Sequence, residues 1–297
     1  MLFAKKSAAE KRVAFRAALA TGRLLQFPGA HAPIVSLVIE EQGFDGIYIS
    51  GAALSAEMGL PDIGLTTLTE VTQRGRQIAR VTELPALIDV DTGFGEPMSA
   101  ARTVQELEEL GLAGCHLEDQ VNPKRCGHLD NKAIVPVAEM ARKVRAAADA
   151  RRDLNFLLMA RTDARASEGL DAAIDRAKAY IDAGADAIFP EALQDMSEYE
   201  AFRAAVDVPL LANLTEFGKT PLLTKAELET LGYNIAIYPV TSLRLAMKAV
   251  EDGFAAIREQ GTQKNIIDRM QTRKRLYEVI RYEDYNRFDR DIFNFKV

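Results

Sequence analysis

The sequence predicts one α/β domain, a (β/α)8 barrel spanning residues 1–297, with its strands within about 24–241 and a helical extension from about 242 to 297. Three observations support this. Eight short apolar runs recur about every 20 to 40 residues, helix-like stretches separate them, and glycine marks several helix ends. The runs are almost continuously hydrophobic, which is typical of strands buried on both faces. A doubly wound open sheet is the weaker alternative.

The predicted strands follow one another along the chain, and each ends close to a small, acidic or hydroxyl residue. In order they are LLQFPGA (24–30), GIYISG (46–51), PALIDVDTGF (85–94), GLAGCHLEDQ (111–120), LNFLLMARTD (154–163), ADAIFPEA (185–192), VPLLANLT (208–215) and YNIAIYPVT (233–241). The intervening segments have helical spacing, as at Ala173, Ala177 and Tyr180, with charges on the opposite face. Four of them stop at a glycine that the next apolar run follows, so strand and helix alternate.

The residues after the last strand exceed what a barrel needs. They predict helices at about 242–260, 262–281 and 283–295, whereas a barrel requires one helix there. These segments carry six aromatic residues that need covering: Tyr277, Tyr282, Tyr285, Phe288, Phe293 and Phe295. A neighbouring subunit is the favoured partner, which predicts a homo-oligomer, and folding back onto the chain's own barrel is the alternative.

Composition excludes several classes of protein. Lys and Arg total 37 against 43 Asp and Glu, so the net charge of −6 gives no basic excess for nucleic acid. No apolar run approaches the roughly 18 residues of a membrane span. Two cysteines cannot form a disulfide framework, and the charged start of the chain does not resemble a signal peptide. We therefore expect a cytoplasmic protein that binds neither nucleic acid nor membranes.

Polar residues cluster where the predicted strands end, which is where barrel enzymes place their active sites. The residues at these strand ends are Tyr48, Ser50, Gly51, Asp89, Asp91, Glu118, Asp119, Arg161, Thr162, Asp163, Glu191, Asn213, Leu214, Thr215 and the segment from Tyr238 to Arg244. Any anionic ligand of this acidic chain must be held by such local cations as Arg161.

Two aspartates on the third strand indicate a metal site. Asp89 and Asp91 are two residues apart, so their side chains share a face, and Glu118 follows on the next strand. Such an oxygen-only cluster suits Mg²⁺ or Mn²⁺. Zinc is disfavoured because the three histidines lack ligand-like spacing. A structural role for the Asp-x-Asp pair is the alternative.

The loop after strand four surrounds a thiol with cations. Lys124, Arg125 and His128 flank Cys126 and Gly127, and these neighbours favour the thiolate and bind anions. An inert, partly buried thiol is the alternative for Cys126. Cys115 lies in an apolar strand and is predicted to pack in the core.

These motifs resemble the isocitrate lyase and phosphoenolpyruvate mutase superfamily. EDQVNPKRCGH (118–128) resembles its Lys-[Lys/Arg]-Cys-Gly-His signature, and YISGAA, LPDIG, DVDTGFG, MARTDA, FPEA, NLTEFGKTPL and GTQKNIIDRMQTRKRLYE are similar to the methylisocitrate-cleaving branch. The resemblance extends from about residue 12 to 290. Mutases and phosphonopyruvate hydrolases lack the loop cysteine, so Cys126 favours a lyase. One departure is Ala52, where the family commonly has a second glycine.

The resemblance implies a Mg²⁺-dependent retro-aldol cleavage of 2-methylisocitrate, a small tricarboxylate, into pyruvate and succinate. It implies that the metal and its water shell are held by Asp62, Asp89, Asp91 and Glu118. It assigns the pyruvate half to Ser50, Gly51, Ala52 and Arg161. It assigns the succinate half to Gly127, His128, Asn213, Leu214, Thr215, Arg244 and Arg273, with Glu191 supporting the arginines. The family's habit of exchanging its last barrel helix favours a homotetramer.

The resemblance also implies an acid and a base. Cys126 is expected to protonate the succinate carbanion, and Tyr48, with a pKa lowered by Arg161 and the metal, is the candidate base at the hydroxyl. Lys124 competes for that role because lysine pKa values shift readily. Related substrates remain open, namely isocitrate, dimethylmalate and oxaloacetate. A catalytically silent barrel that binds a dicarboxylate is the non-enzymatic alternative.

Overall fold

The computed structural model describes residues 4–125 and 133–296. Its helices and strands alternate as the sequence predicts. In order they are α1 (Ala8–Ala20), β1 (Leu25–Pro28), α2 (Pro33–Glu41), β2 (Ile47–Ile49), α3 (Gly51–Glu57), α4 (Leu68–Ala79), β3 (Ala86–Asp89), α5 (Pro97–Glu109), β4 (Gly114–Glu118), α6 (Val137–Ala150), β5 (Leu157–Thr162), α7 (Arg165–Glu168), α8 (Leu170–Asp182), β6 (Ala187–Pro190), α9 (Met196–Ala205), β7 (Leu211–Asn213), α10 (Lys225–Thr230), β8 (Ile235–Tyr238), α11 (Thr241–Gln260), a 3₁₀ helix (Lys264–Arg269), α12 (Arg273–Val279) and α13 (Tyr282–Phe293).

The eight strands are parallel and close into a barrel in chain order. Strands β2 to β6 form one hydrogen-bonded set, and β7, β8 and β1 form another. Single parallel bridges join the sets, one between Gly29 and Tyr48 and one between Ile188 and Leu210. The barrel prediction is confirmed, and the open doubly wound sheet is excluded.

Alternation along the strands divides the core into two layers. Ile47 and Ile49 point outward into the layer between strands and helices, whereas Tyr48 points into the barrel. Phe27, Met159 and Phe189 also lie in the inner layer. The same alternation carries polar side chains into the barrel mouth wherever a strand ends in a polar residue.

Helix α1 closes the end of the barrel at which the strands begin. Phe15 packs on Phe27 with ring centroids 5.1 Å apart. The buried Lys11 Nζ donates hydrogen bonds to the carbonyl oxygens of Ala79, at 3.0 Å, and Thr82, at 2.6 Å. Arg12 Nε donates to Leu112 O at 2.9 Å. The cations of α1 thus satisfy carbonyl groups just before β3 and β4, and this end is closed to substrate.

The C-terminal extension differs from the prediction in one place. Residues 262–281 form a 3₁₀ helix and α12 in place of one helix, since Met270 is extended and Thr272 caps α12. Helix α12 packs near α2, where Arg275 pairs with Glu41. None of the 20 residues of α11 is buried in the described chain, and Leu245 and Phe254 are 69% and 68% exposed. Within 4–125 and 133–296, no helix is long and apolar enough to span a membrane.

Candidate active site

The strand ends bring a large part of the predicted site together at the barrel mouth. The described residues linked there by hydrogen bonds or ion pairs are Gly51, Asp62, Asp89, Asp91, Glu118, Lys124, Arg161, Glu191 and Asn213. Ser50 caps α3 from the residue before Gly51, through a hydrogen bond from Ala53 N. Parallel strands end at the same rim, which explains why residues up to about 160 positions apart meet here.

Asp89 and Asp91 converge on the backbone at Gly51. The N–H of Gly51 donates to Asp89 Oδ2 at 3.2 Å, and the N–H of Asp91 donates to Asp89 Oδ1 at 3.0 Å. A Cβ atom on Gly51 would lie 3.0 Å from Asp89 Oδ2 and 3.2 Å from Asp91 Oδ1. Glycine therefore leaves room beside two carboxylates. Asp91 itself has φ of 48°, a left-handed conformation that is uncommon outside glycine.

Lys124 is a buried cation among these carboxylates. Its Nζ pairs with Asp62 and lies 2.8 Å from Asp91 Oδ1. Burial alone would lower the pKa of Lys124, but the charges of Glu118, Asp91 and their neighbours outweigh it and raise the pKa. The expectation that Lys124 could act as a base through a lowered pKa is therefore wrong in the described chain, because its setting is anionic.

Arg161 is surrounded by three carboxylates at the end of β5. Its NH1 lies 2.9 Å from Glu118 Oε2, its Nε lies 3.0 Å from Asp163 Oδ2, and its NH2 lies 3.3 Å from Glu191 Oε2. The guanidinium also stacks over Phe189, 5.1 Å from the ring centroid. The acids fix the orientation of Arg161 and raise its pKa against the effect of burial.

The acidic residues respond differently to this setting. Burial and the adjacent Asp89 charge raise the pKa of Asp91 to about 6. Burial also raises the pKa of Glu118 well above its usual range, although Arg161 and Lys124 oppose it. For Asp89 the effect of burial is outweighed by His116, Lys124 and Arg161, which leave its pKa lowered. Negative charge is thus concentrated on Asp89.

Tyr48 faces His116 across the barrel interior. The Tyr48 hydroxyl hydrogen bonds to His116 Nε2 at 2.7 Å, and His116 Nδ1 lies 3.9 Å from Asp89 Oδ1. Burial raises the pKa of Tyr48 and the Asp89 charge adds to it, while Arg161 opposes this only partly. In the described chain the pKa of Tyr48 is thus raised, and the predicted lowering requires the charge of a bound metal ion as well as that of Arg161. Burial lowers the pKa of His116 to about 4, so its imidazole is neutral near pH 7.

The donor chemistry at the mouth fits a hard divalent cation. The facing groups are carboxylates, Gly51 leaves space beside two of them, and Glu118 Oε1 has no hydrogen-bond partner in the described chain. However, in residues 4–125 and 133–296 no group of three or more His, Cys, Asp or Glu side chains is placed to hold a metal ion. The ammonium of Lys124 lies between Asp62 and Asp91 and supplies positive charge there.

Strand β7 contributes the opposite wall of the mouth. Asn213 Nδ2 lies 3.3 Å from Glu191 Oε2, which links the amide to the Arg161 cluster. Leu214 and Thr215 follow it and are buried. Glu191 thus contacts both Arg161 and Asn213, as the supporting role predicted for it requires.

Two predicted arginines lie apart from this cluster. Arg244 is half-exposed at the start of α11, where its NH1 lies 2.9 Å from Glu216 Oε2 and its guanidinium stacks over Phe217. Arg273 begins α12, and among the described residues no hydrogen bond or ion pair joins it to the strand-end cluster.

Cys126, Gly127 and His128 lie outside the described residues. The stem of their loop is held by the buried Gln120, whose amide accepts from Arg125 N and donates to Arg125 O, both at 2.8 Å. Across the stem, Val121 N donates to Ala133 O at 2.8 Å. Cys115 is fully buried, as predicted, and burial raises its pKa.

Sequence reasoning gave no role to two residues of the cluster. His116 was tested only for metal-ligand spacing, yet it lies two positions before Glu118 on β4 and so shares its face. Asp163 stands two residues after Arg161 in the same relation. Alternation on a strand that ends in a candidate residue is the signal that could have found His116, whereas Asp163 is already among the strand-end residues without an assigned role.

Comparison with known proteins agrees with this geometry. Residues 15–258 match the family model described as phosphoenolpyruvate phosphomutase. A probable 2-methylisocitrate lyase 1 of Corynebacterium glutamicum is 61% identical over 96% of this chain and 94% of its own, and the 2-methylisocitrate lyase of Bacillus subtilis is 51% identical over 94% and 92%.

Solved structures are similar over nearly the whole chain. An oxaloacetate acetylhydrolase with bound 3,3-difluorooxalacetate superposes with a TM-score of 0.90 at 34% identity, covering 98% of this chain and 99% of its own. A phosphonopyruvate hydrolase in complex with oxalate and Mg²⁺ gives 0.85 at 33% identity, covering 93% and 96%.

Proposed function

The chain belongs to the phosphoenolpyruvate phosphomutase family, and from that premise we propose that it is a carbon-carbon lyase that cleaves 2-methylisocitrate into pyruvate and succinate. The observation that carries this is the 61% identity with a probable 2-methylisocitrate lyase across nearly the full length of both chains. The cluster of Asp89, Glu118 and Arg161 at the barrel mouth supports it, because a silent binding barrel has no need of buried, paired carboxylates.

Asp89, Asp91, Asp62 and Glu118 are the residues proposed to hold Mg²⁺, for which Mn²⁺ could substitute. The Mg²⁺ complex of the similar phosphonopyruvate hydrolase and the oxygen-only donors support this assignment. When bound, such a cation stabilises negative charge on the oxygens of an α-keto acid. Lys124 would neutralise the remaining carboxylate charge through its contacts with Asp62 and Asp91.

The pyruvate half is proposed to lie between Arg161 and the start of α3. Ser50, Gly51 and Ala52 lie there at the N-terminal end of α3, where the helix dipole favours anions, and substrate would share the Gly51 N–H with Asp89 Oδ2. Arg161 would bind a carboxylate through a guanidinium that its acidic neighbours already orient. A preorganised cation aligns substrate without the cost of ordering a free arginine side chain.

Tyr48 is proposed to accept the hydroxyl proton, in preference to Lys124. A phenol can accept the hydroxyl proton only after it has lost its own, and the charges of Arg161 and of a bound metal ion would favour that ionised form of Tyr48. A lysine whose pKa is raised is protonated and cannot act as a base without first losing that proton. The contacts therefore favour Tyr48.

Cys126 is proposed to donate the proton that converts the succinate carbanion into succinate. Carbon-carbon bond cleavage leaves the electron pair on that carbon, so an acid must lie on the same side. Gly127, His128, Asn213, Leu214, Thr215, Arg244 and Arg273 are proposed to bind the succinate carboxylates. For Arg244, substrate would share or replace the carboxylate of Glu216.

We also propose a cytoplasmic homotetramer in which α11 packs on a neighbouring barrel. The exposed apolar residues of α11, among them Leu245 and Phe254, support this because a neighbouring barrel would bury them.

A cleavage assay tests the proposed function. Purified protein with Mg²⁺ is given 2-methylisocitrate, isocitrate, dimethylmalate or oxaloacetate, and pyruvate, glyoxylate, succinate and oxalate are quantified. We expect 2-methylisocitrate to give equal amounts of pyruvate and succinate, with the highest kcat/KM of the set. A preference for oxaloacetate would favour the second candidate, to which the similarity with oxaloacetate acetylhydrolase points.

A further inference from the structure

Asp119 is a fully buried carboxylate directly beside the active site that the proposed reaction does not use. It follows Glu118 at the end of β4, so its side chain points away from the barrel mouth toward α8. Burial and the nearby Asp163 raise its pKa, which shows that its position is electrostatically unfavourable. Such a group needs several donors to be tolerated.

Asp119 has those donors on both of its oxygens. Oδ2 accepts hydrogen bonds from Thr162 Oγ1 and from the Tyr180 hydroxyl, both at 2.8 Å. Arg176 NH1 lies 3.5 Å from the same oxygen. Oδ1 accepts from the backbone N–H of Asp163 at 2.8 Å. The two oxygens therefore do different things, since one binds hydroxyl groups and the other fixes a peptide.

The peptide that Oδ1 fixes carries the side chain that orients Arg161. Asp163 pairs with Arg161 through two bonds, Nε to Oδ2 at 3.0 Å and NH2 to Oδ1 at 3.1 Å. A rotation of the peptide between Thr162 and Asp163 would move the Asp163 carboxylate and with it the guanidinium. The link from Asp119 to Arg161 thus runs through one backbone N–H and one fork-shaped ion pair.

We propose that Asp119 is a positioning residue for the pyruvate half of the substrate, acting through the Asp163 peptide on Arg161. This rests on the proposed function, in which Arg161 binds the pyruvate carboxylate. Because the proposal acts on the residue assigned to pyruvate, it predicts a much larger effect on the binding of pyruvate than on that of succinate. A purely structural role would change the amount of folded enzyme and would not single out the Ki of pyruvate.

The test compares three variants. Asp119→Ala removes the acceptor of the Asp163 N–H. Asp119→Asn keeps one, because the amide can place its oxygen toward that N–H while the Thr162 and Tyr180 hydroxyls turn to accept from its NH₂ group. Tyr180→Phe is the matched control, since it removes a donor to Oδ2 and leaves the bond from Asp163 N intact.

The measurement is product inhibition of 2-methylisocitrate cleavage at saturating Mg²⁺, with the enzyme concentration corrected for folded protein. For Asp119→Ala we expect the Ki of pyruvate to rise at least about tenfold, in line with a lost hydrogen bond to a charged group, and the Ki of succinate to change by less than about twofold. Asp119→Asn should restore the pyruvate Ki to within about threefold, and Tyr180→Phe should lower thermal stability alone.

Equal shifts for both products, no shift, or a pyruvate-specific shift in Tyr180→Phe would each overturn the proposal. If Asp119→Ala does not fold, Asp119→Ser replaces it, because its hydroxyl ends one bond short of the position of Oδ1. If the wild-type enzyme cleaves no 2-methylisocitrate, the proposed function is refuted, and the positioning role of Asp119 is not. Asp119 is then tested by the crystal structure of the variant, in which an unchanged Arg161 to Asp163 pair would overturn the proposal.

Discussion

Replacing Arg161 with methionine removes a buried guanidinium that contacts Glu118, Asp163 and Glu191. Methionine approximates the length of the stem, so packing is kept while the charge is lost. Breaking a buried ion pair by removing one partner costs about 3 to 5 kcal/mol, because the other charge stays buried without compensation. With three carboxylates affected, we expect the upper part of that range, together with a loss of turnover of at least about 100-fold.

The loss of stability in Arg161→Met should depend on pH with a defined sign. Glu118 already has a pKa raised above its ordinary value by burial, and Arg161 is the first of the charges that oppose this. Without Arg161 the pKa rises further, so the folded variant binds a proton more tightly than its unfolded chain. Stability from such a group is present at low pH and is lost as pH rises through the folded pKa. The deficit relative to wild type therefore grows from pH 5 to pH 8.

Urea unfolding near pH 5.5 and pH 8, at one protein concentration, measures this deficit. Arg165→Met is the matched control: its Nε lies 3.0 Å from Glu198 Oε2 in a partly exposed pair, which should be worth about 1 kcal/mol or less at either pH. An Arg161→Met deficit no larger than that of Arg165→Met, or one that shrinks as pH rises, would refute the reasoning.

Three further predictions follow from the proposed site and assembly. Excess chelator should abolish cleavage and Mg²⁺ should restore it, and Asp89→Asn should raise the Mg²⁺ concentration needed for half-maximal activity at least about tenfold; full activity in chelator would argue against a metal. Cys126→Ser should reduce kcat at least about 100-fold with little change in KM, while Cys115→Ser should alter stability by about 1 kcal/mol without changing turnover per folded molecule; wild-type turnover in Cys126→Ser would place the acid elsewhere. Sedimentation should give the mass of a tetramer, and Phe254→Asp on the exposed face of α11 should reduce it; a single-chain mass for the wild type at micromolar concentration would contradict the exchange of α11.

The fold could be predicted because each strand carries its own signal. All eight apolar runs contain an observed strand, and the differences are trimmed ends, as at 111–120, where β4 spans Gly114–Glu118. The break inside 262–281 was missed because helical spacing continues across it. Its cause is local, since Thr272 accepts a hydrogen bond from Arg275 N and starts a new helix.

The members of the site were easier to predict than their electrostatics. Strand-end position alone identifies Asp89, Glu118 and Arg161. The direction of a pKa shift depends on burial and on charges from distant parts of the chain, such as Asp62, which is 62 residues from Lys124. The pKa of Tyr48 likewise follows from closure of the barrel around it, which no local pattern encodes.

The contacts by which α1 closes the barrel determine how late in synthesis this helix can reach its final position. Arg12 bonds to Asp153, 141 residues later, and Arg16 bonds to Asp186, 170 residues later. At roughly 5 to 20 residues per second, a ribosome needs about 7 to 28 seconds to pass from Arg12 to Asp153. Throughout that time α1 has no barrel to close. Phe15 cannot yet pack against Phe27, because β1 is not yet held in a complete sheet. The earliest segment of the nascent chain is therefore among the last to reach its final place.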